Sequence, residues 1–130
     1  MRKELRGEER YTEIGRVECE QISALPGVLD DISISGCRIH FPLPADVDKE
    51  NEYTVFIQLS RQDFPDRLHL LCQPQWFVVN EEESQVEIGL AFLRSPDSPE
   101  LARLIESLKQ KENSDDITSL IIEDDTDFIS

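Results

Sequence analysis

The sequence predicts an all-β domain, a barrel or sandwich of six or seven short strands followed by one helix. Three observations predict it. Apolar residues alternate with polar ones at period two through the middle of the chain, turn residues punctuate that alternation at short intervals, and a single i, i+3, i+4, i+7 stripe comes after it.

The elements follow in order. Between Ile14 and Val17 the alternation slips by one residue at Gly15, which suggests a bulge in the first strand. After Pro26-Gly27, Ile32 and Ile34 precede Gly36, while Ile39 and Phe41 follow it up to the break at Pro42-Leu43-Pro44. Tyr53, Val55, Ile57 and Leu59 then share one face of a strand. Leu68, Leu70 and Cys72 form the next stripe, which Trp76 and Val78 continue beyond Pro74. Asn80 and three glutamates mark a turn, and Val86, Ile88, Leu90 and Phe92 line the last strand. Ser98 fits an N-cap and Pro99 the first helical position, with Leu101, Leu104, Ile105 and Leu108 as the buried stripe. One such stripe lies across the barrel.

At 130 residues the chain is expected to hold one domain. Its 28 acidic and 13 basic side chains give a net charge of −15, unevenly spread. Residues 112–130 carry seven acids and no Lys or Arg, so we expect a domain over 1–111 and an acidic-hydrophobic, flexible tail over 112–130. The first ten residues run the other way, with Arg2, Lys3, Arg6 and Arg10 against three glutamates. Such acidity excludes a general nucleic-acid or anionic-membrane surface but leaves room for one small anion on a local basic cluster. No apolar run exceeds four residues against the roughly 20 that a membrane span needs. No secretory h-region is visible, so no membrane insertion and a cytoplasmic location are expected. Cys19, Cys37 and Cys72 leave one thiol over in any disulfide scheme and form no C-x-x-C pair, which suits buried thiols in a reducing compartment.

Two constellations carry chemistry. Arg6 and Arg10 stand four residues apart just before the first strand. Their guanidiniums offer planar donor forks that match phosphate oxygens or the O6/N7 edge of guanine. Asp31-Ile32-Ser33-Ile34-Ser35-Gly36 is the second. In extended geometry Asp31, Ser33 and Ser35 project from one face and Ile32 and Ile34 from the other. A carboxylate accepts from the N1–H and N2–H of guanine, a hydroxyl binds phosphate or a ring edge, and Gly36 permits a tight bend or close backbone approach. His40 and His69 lack partners at metal spacing, the run Asp124-Asp125-Thr126-Asp127 lacks the Gly and terminal Glu of a calcium loop, and no nucleophile–base pair stands out. Neither a metal nor catalysis is expected.

Taken together and about 20 residues apart, the two motifs resemble those of the PilZ family of bacterial cyclic di-GMP receptors, which carry Arg-x-x-x-Arg and then Asp/Asn-x-Ser-x-x-Gly. Arg6 and Arg10 match the first motif; Asp31, Ser33 and Gly36 match the second. Trp76 sits where that family often has an aromatic, and Glu87-Ile88-Gly89-Leu90-Ala91-Phe92 is similar to its closing strand. The resemblance covers about residues 2–111. It implies a six-stranded antiparallel β-barrel with a C-terminal helix, and a receptor that captures cyclic di-GMP with Arg6, Arg10, Asp31, Ser33, Gly36 and Trp76. It also implies that binding orders the N-terminal segment and relays a signal to a protein partner, in motility or biofilm regulation. Bulk nucleic acid is not an implied partner, and no cofactor beyond the ligand is implied. A ligand-blind adaptor of the same fold, acting in pilus or flagellar control, is the alternative. Arg2 and Arg6 offer a second register for the first motif, but Arg10 abuts the strand and its spacing to Asp31 suits the family better. In that family an apolar residue before the motif accompanies a single ligand, so Leu5 here implies one ligand per site by the same resemblance.

Overall fold

The computed structural model describes residues 9–61 and 67–110. Six strands run β1 (Gly15–Glu18), β2 (Gly27–Ile32), β3 (Gly36–Pro42), β4 (Tyr53–Leu59), β5 (Leu68–Asn80) and β6 (Gln85–Phe92), and α1 spans residues 98–110. The strands pair antiparallel in the order β1-β2-β3-β6-β5-β4, and β1 also pairs β4, so the sheet closes into a barrel with few free edges.

Alternation fills the interior. Val17, Leu29, Ile39, Phe41, Val55, Ile57, Leu70 and Ile88 are buried together, and their outward neighbours are polar or charged at most positions. Leu101, Leu104 and Leu108 of α1 join the same core. After β6 the chain keeps to the edge of β5: Leu93 N–H donates to Leu71 C=O at 2.7 Å, and Leu71 N–H donates to Ser95 Oγ at 2.8 Å. His69 N–H donates to Asp97 Oδ2 at 2.8 Å. These bonds satisfy the strand edge and deliver the helix to one end of the barrel.

Four local expectations are corrected. Gly15 causes no bulge; it takes a regular inward place in β1, and Ile14 is left exposed before the strand. The register shifts fall instead in β2, between Leu29 and Asp31, and in β5, between Pro74 and Trp76. Trp76 and Val78 therefore do not continue the inward stripe of Leu70 and Cys72, because the extra residue Gln75 reverses the phase and turns them outward. Residues 33–35 do not extend β2: Ser33 is fully buried and Ile34 is 42% exposed, because a turn joins β2 to β3 there. At α1 the carbonyl of Asp97 accepts the first helical bond, from Leu101 N–H at 3.0 Å, so the cap lies one residue before Ser98. The Ser98 hydroxyl accepts from Ser95 N–H at 2.9 Å instead.

Candidate functional site: a cleft across four strands

Two bulges build this site. In β2, inward Leu29 would ordinarily be followed by outward Asp30 and inward Asp31. Asp30 is the extra residue between the pairs Leu29↔Ile39 and Asp31↔Arg38, so both carboxylates face outward and Ile32 returns to the core. In β5 the extra Gln75 does the same for Trp76, which pairs with Gly89 of β6. Since Arg38 pairs with Gly89 as well, Asp31, Arg38, Gly89 and Trp76 form one outward row across β2, β3, β6 and β5.

Above the row lies a cleft of about 480 Å³ whose lining includes Arg10, Asp31, Gly36, Arg38, Trp76 and Gly89. Arg10 reaches it from the N-terminal segment. The neighbouring Tyr11 is buried and bridges Ile32, donating N–H to Ile32 C=O at 2.8 Å and accepting from Ile32 N–H at 3.0 Å. Its hydroxyl donates to Glu9 Oε1 at 2.8 Å. Fixed in this way, the Arg10 guanidinium donates through Nε at 2.9 Å and Nη2 at 2.7 Å to Asp31 Oδ1. Asp31 Oδ2 lies 3.2 Å from Arg38 Nε, and Arg38 Nη1 lies 3.4 Å from Glu87 Oε2. Each oxygen of Asp31 thus faces its own guanidinium, and the row is close to charge-balanced.

Both glycines in the site act by lacking a side chain. A Cβ on Gly36 would overlap the Leu90 carbonyl oxygen, and a Cβ on Gly89 would overlap the Trp76 indole. Gly89 therefore leaves the space that the indole occupies against the sheet beside Arg38. Gly36 lets β3 start hard against β6, which selects close approach over a bend as its role.

Of the residues the motifs singled out, the structure brings Arg10, Asp31, Gly36 and Trp76 together in the cleft. Ser33 lies beneath it: its Oγ donates to Gly36 C=O at 3.2 Å and accepts from Ser35 N–H at 3.3 Å, while Ser33 N–H donates to Gly36 C=O at 2.8 Å. Arg6 lies outside the described residues. The sequence reading missed Arg38, Glu87 and Tyr11. Arg38 had a signal, since it is an outward charge between buried Cys37 and Ile39, but only strand register sets it opposite Asp31. His40 pairs with Asp30, its Nδ1 lying 3.0 Å from Oδ2, and the His69 ring packs 4.5 Å from that of Phe56. Among the described residues no group of three His, Cys, Asp or Glu is placed to hold a metal, and no helix is long and apolar enough to cross a membrane.

Comparison with solved structures returns this fold. Bacillus subtilis inhibitor of motility (MotI/DgrA) superposes with a TM-score of 0.69 at 8% identity, over 83% of this chain and 51% of that one. Escherichia coli YcgR in complex with c-di-GMP gives 0.61 at 16% identity, over 85% of this chain and 50% of that one. The isolated PilZ domain of Escherichia coli YcgR with c-di-GMP gives 0.57 at 17% identity, over 88% and 97%. The chain thus spans about half the length of the first two proteins it matches, and identities this low establish the fold alone. No curated protein matches. The PilZ domain as a family matches residues 2–110, a span that holds the whole barrel, both motifs and α1. The chain belongs to the PilZ domain family.

Proposed function

We propose that this chain is a receptor module for cyclic di-GMP rather than an enzyme. One observation carries the reading: Arg10 and Asp31, 21 residues apart in sequence, meet in a cleft floored by Gly89 and walled by Trp76. Family membership supports it, as does c-di-GMP in the YcgR structures of the same fold.

In this reading Arg6 and Arg10 close over the ligand, taking phosphates and guanine edges with their donor forks. Asp31 accepts from a guanine, Gly36 keeps β3 close against β6 at the cleft's edge, and Trp76 supplies an aromatic wall. Ser33 acts from below by holding the turn that places Asp31 and Gly36. The ligand must displace the Arg10–Asp31 pair, whose guanidinium side is 48% exposed. The Asp31 side is only 15% exposed and faces a second guanidinium. The latch therefore holds more than the roughly 0–1 kcal/mol of a fully exposed pair, and the ligand's own contacts must offset it. Ordering the N-terminal segment on the ligand costs entropy, which sets affinity near micromolar, about −8 kcal/mol or somewhat better. The rearranged segment then presents a changed face to a protein partner. Free thiols buried in the barrel suit a cytoplasmic setting.

Calorimetry with cyclic di-GMP tests this. One ligand per chain is expected, and Arg10→Ala is expected to weaken binding by about 1–3 kcal/mol. Absence of heat at high micromolar ligand would refute the receptor reading.

A second reading, the ligand-blind adaptor, draws on the far end of β5. Phe77, Val78 and Val79 are 39%, 57% and 47% exposed on the stretch of β5 that runs beyond its pairing with β4. Contiguous exposed apolar residues suit protein contact. The adaptor predicts a partner complex unchanged by cyclic di-GMP, whereas the receptor predicts one that the dinucleotide strengthens or breaks.

A further inference from the structure

We propose that Arg38, which lies outside both motifs, reads the O6/N7 edge of the guanine base whose N1 and N2 donors meet Asp31. This rests on the cleft being a cyclic di-GMP site. Asp31 and Arg38 are cross-strand partners on the outer face, so an acceptor and a donor stand one strand apart, with side chains about 5 Å from each other at their bases. Guanine presents the complementary pattern on adjoining edges: donors at N1 and N2, acceptors at O6 and N7. Adenine reverses it near this point, with an acceptor at N1 and a donor at N6. A carboxylate beside a guanidinium therefore accepts one base and leaves the other with mismatched polar groups.

Arg38 is also the guanidinium best placed to be recruited. Arg10 holds Asp31 Oδ1 through two nitrogens at 2.7 and 2.9 Å. Arg38 makes two longer single contacts, 3.2 Å to Asp31 and 3.4 Å to Glu87, and is 45% exposed at the cleft. Glu87, in the next outward row opposite His40, is the positioning residue: it holds the arginine on the sheet surface when Asp31 turns to the base. On the other side of Arg38 in the row, Gly89 leaves room for the Trp76 indole in the cleft lining, so a base that meets Arg38 at its edge has an aromatic wall beside it.

The test is a chemical double-mutant cycle by calorimetry, using cyclic di-GMP and its 7-deaza analogue, which lacks N7 and nothing else that binds. Wild type should bind the analogue about tenfold more weakly, the scale of a base-edge contact. In Arg38→Met, cyclic di-GMP should bind about tenfold more weakly than to wild type, and the analogue penalty should disappear. Arg38→Lys keeps the charge without the fork and should lose most of the penalty too, with an unchanged melting temperature showing that the barrel is intact. An equal penalty in wild type and both Arg38 variants, or none in wild type, overturns the assignment while leaving the receptor reading standing. Wild type that binds no cyclic di-GMP overturns the receptor reading and this inference with it.

Discussion

Cys72 illustrates how a single side chain registers the barrel's interior. It has no exposed surface, its thiol lies 3.5 Å from the Leu70 carbonyl, and burial, with Cys19 adding to it, pushes its pKa up to about 12. Burial also raises Cys37 and Cys19 above the ordinary thiol value of 9.0. Thiols held protonated in this way are poor nucleophiles. All three should stay unlabelled by Ellman's reagent in the native protein and react together on unfolding; rapid labelling of the folded barrel would contradict their placement. The same shift fixes an alkaline limit. A folded-state pKa above the unfolded one contributes stability that is fully present below about pH 9 and is lost as pH rises towards about 12, because the unfolded chain gives up the proton first. Urea midpoints should therefore fall across that window, and the fall should be shallower in Cys72→Ala. An identical decline in both proteins would place the loss on other groups.

At the scale of elements, two bulged strands decide what the cleft contains, and Gly89 decides how it closes. Gly89→Ala should force the indole off the sheet, since the added methyl occupies the ring's position. Overpacking of this kind costs about 1–3 kcal/mol. Trp76 is the only tryptophan in the chain, so its fluorescence reads the displacement directly, and an unchanged emission maximum in Gly89→Ala would show that the ring does not rest there. For α1, Leu104→Ala should cost about 2–5 kcal/mol in chemical denaturation, because Leu104 is fully buried where the helix meets the barrel. A loss below 1 kcal/mol would mean that the helix is not part of the cooperative unit. These elements also show what a sequence displays and what it hides. The stripes Tyr53–Leu59 and Val86–Leu90 were legible because each strand buries one face throughout. Asp31 and Trp76 were legible as motif residues, yet the reason they face outward was not. A bulge reverses phase by one residue, and only the partner strand reveals which residue is extra. Arg38 stayed hidden for the same reason, since its meaning lies in the strand opposite. Ser33 reads as a binding hydroxyl in an extended segment, but a four-residue turn takes it inside.

Over the whole molecule, the net charge of −15 sets conditions on any anionic ligand. The cyclic dinucleotide proposed as ligand would bring two phosphates to a cleft where Arg10 and Arg38 are already partly neutralised by Asp31 and Glu87. Local attraction at contact distance dominates, but every acid within a Debye length subtracts from it, and that length is about 8 Å at physiological salt and 30 Å at 0.01 M. Residues 113–130 lie outside the described residues and hold six acids with no base, so their removal takes the net charge from −15 to −9. If those carboxylates compete for the cleft's arginines, or merely repel the ligand through solvent, deleting 113–130 should tighten cyclic di-GMP binding at low salt. The two routes separate on raising the salt. Pure long-range repulsion should vanish by about 0.5 M, where screening shortens its reach to a few ångströms. Direct occupation of Arg10 should leave a residual gain, and Arg10→Ala in the full chain should shrink it. Titrations of the full and shortened chains at 0.01, 0.15 and 0.5 M salt resolve the alternatives, and equal affinities at the lowest salt would show that the tail's charge does not reach the site.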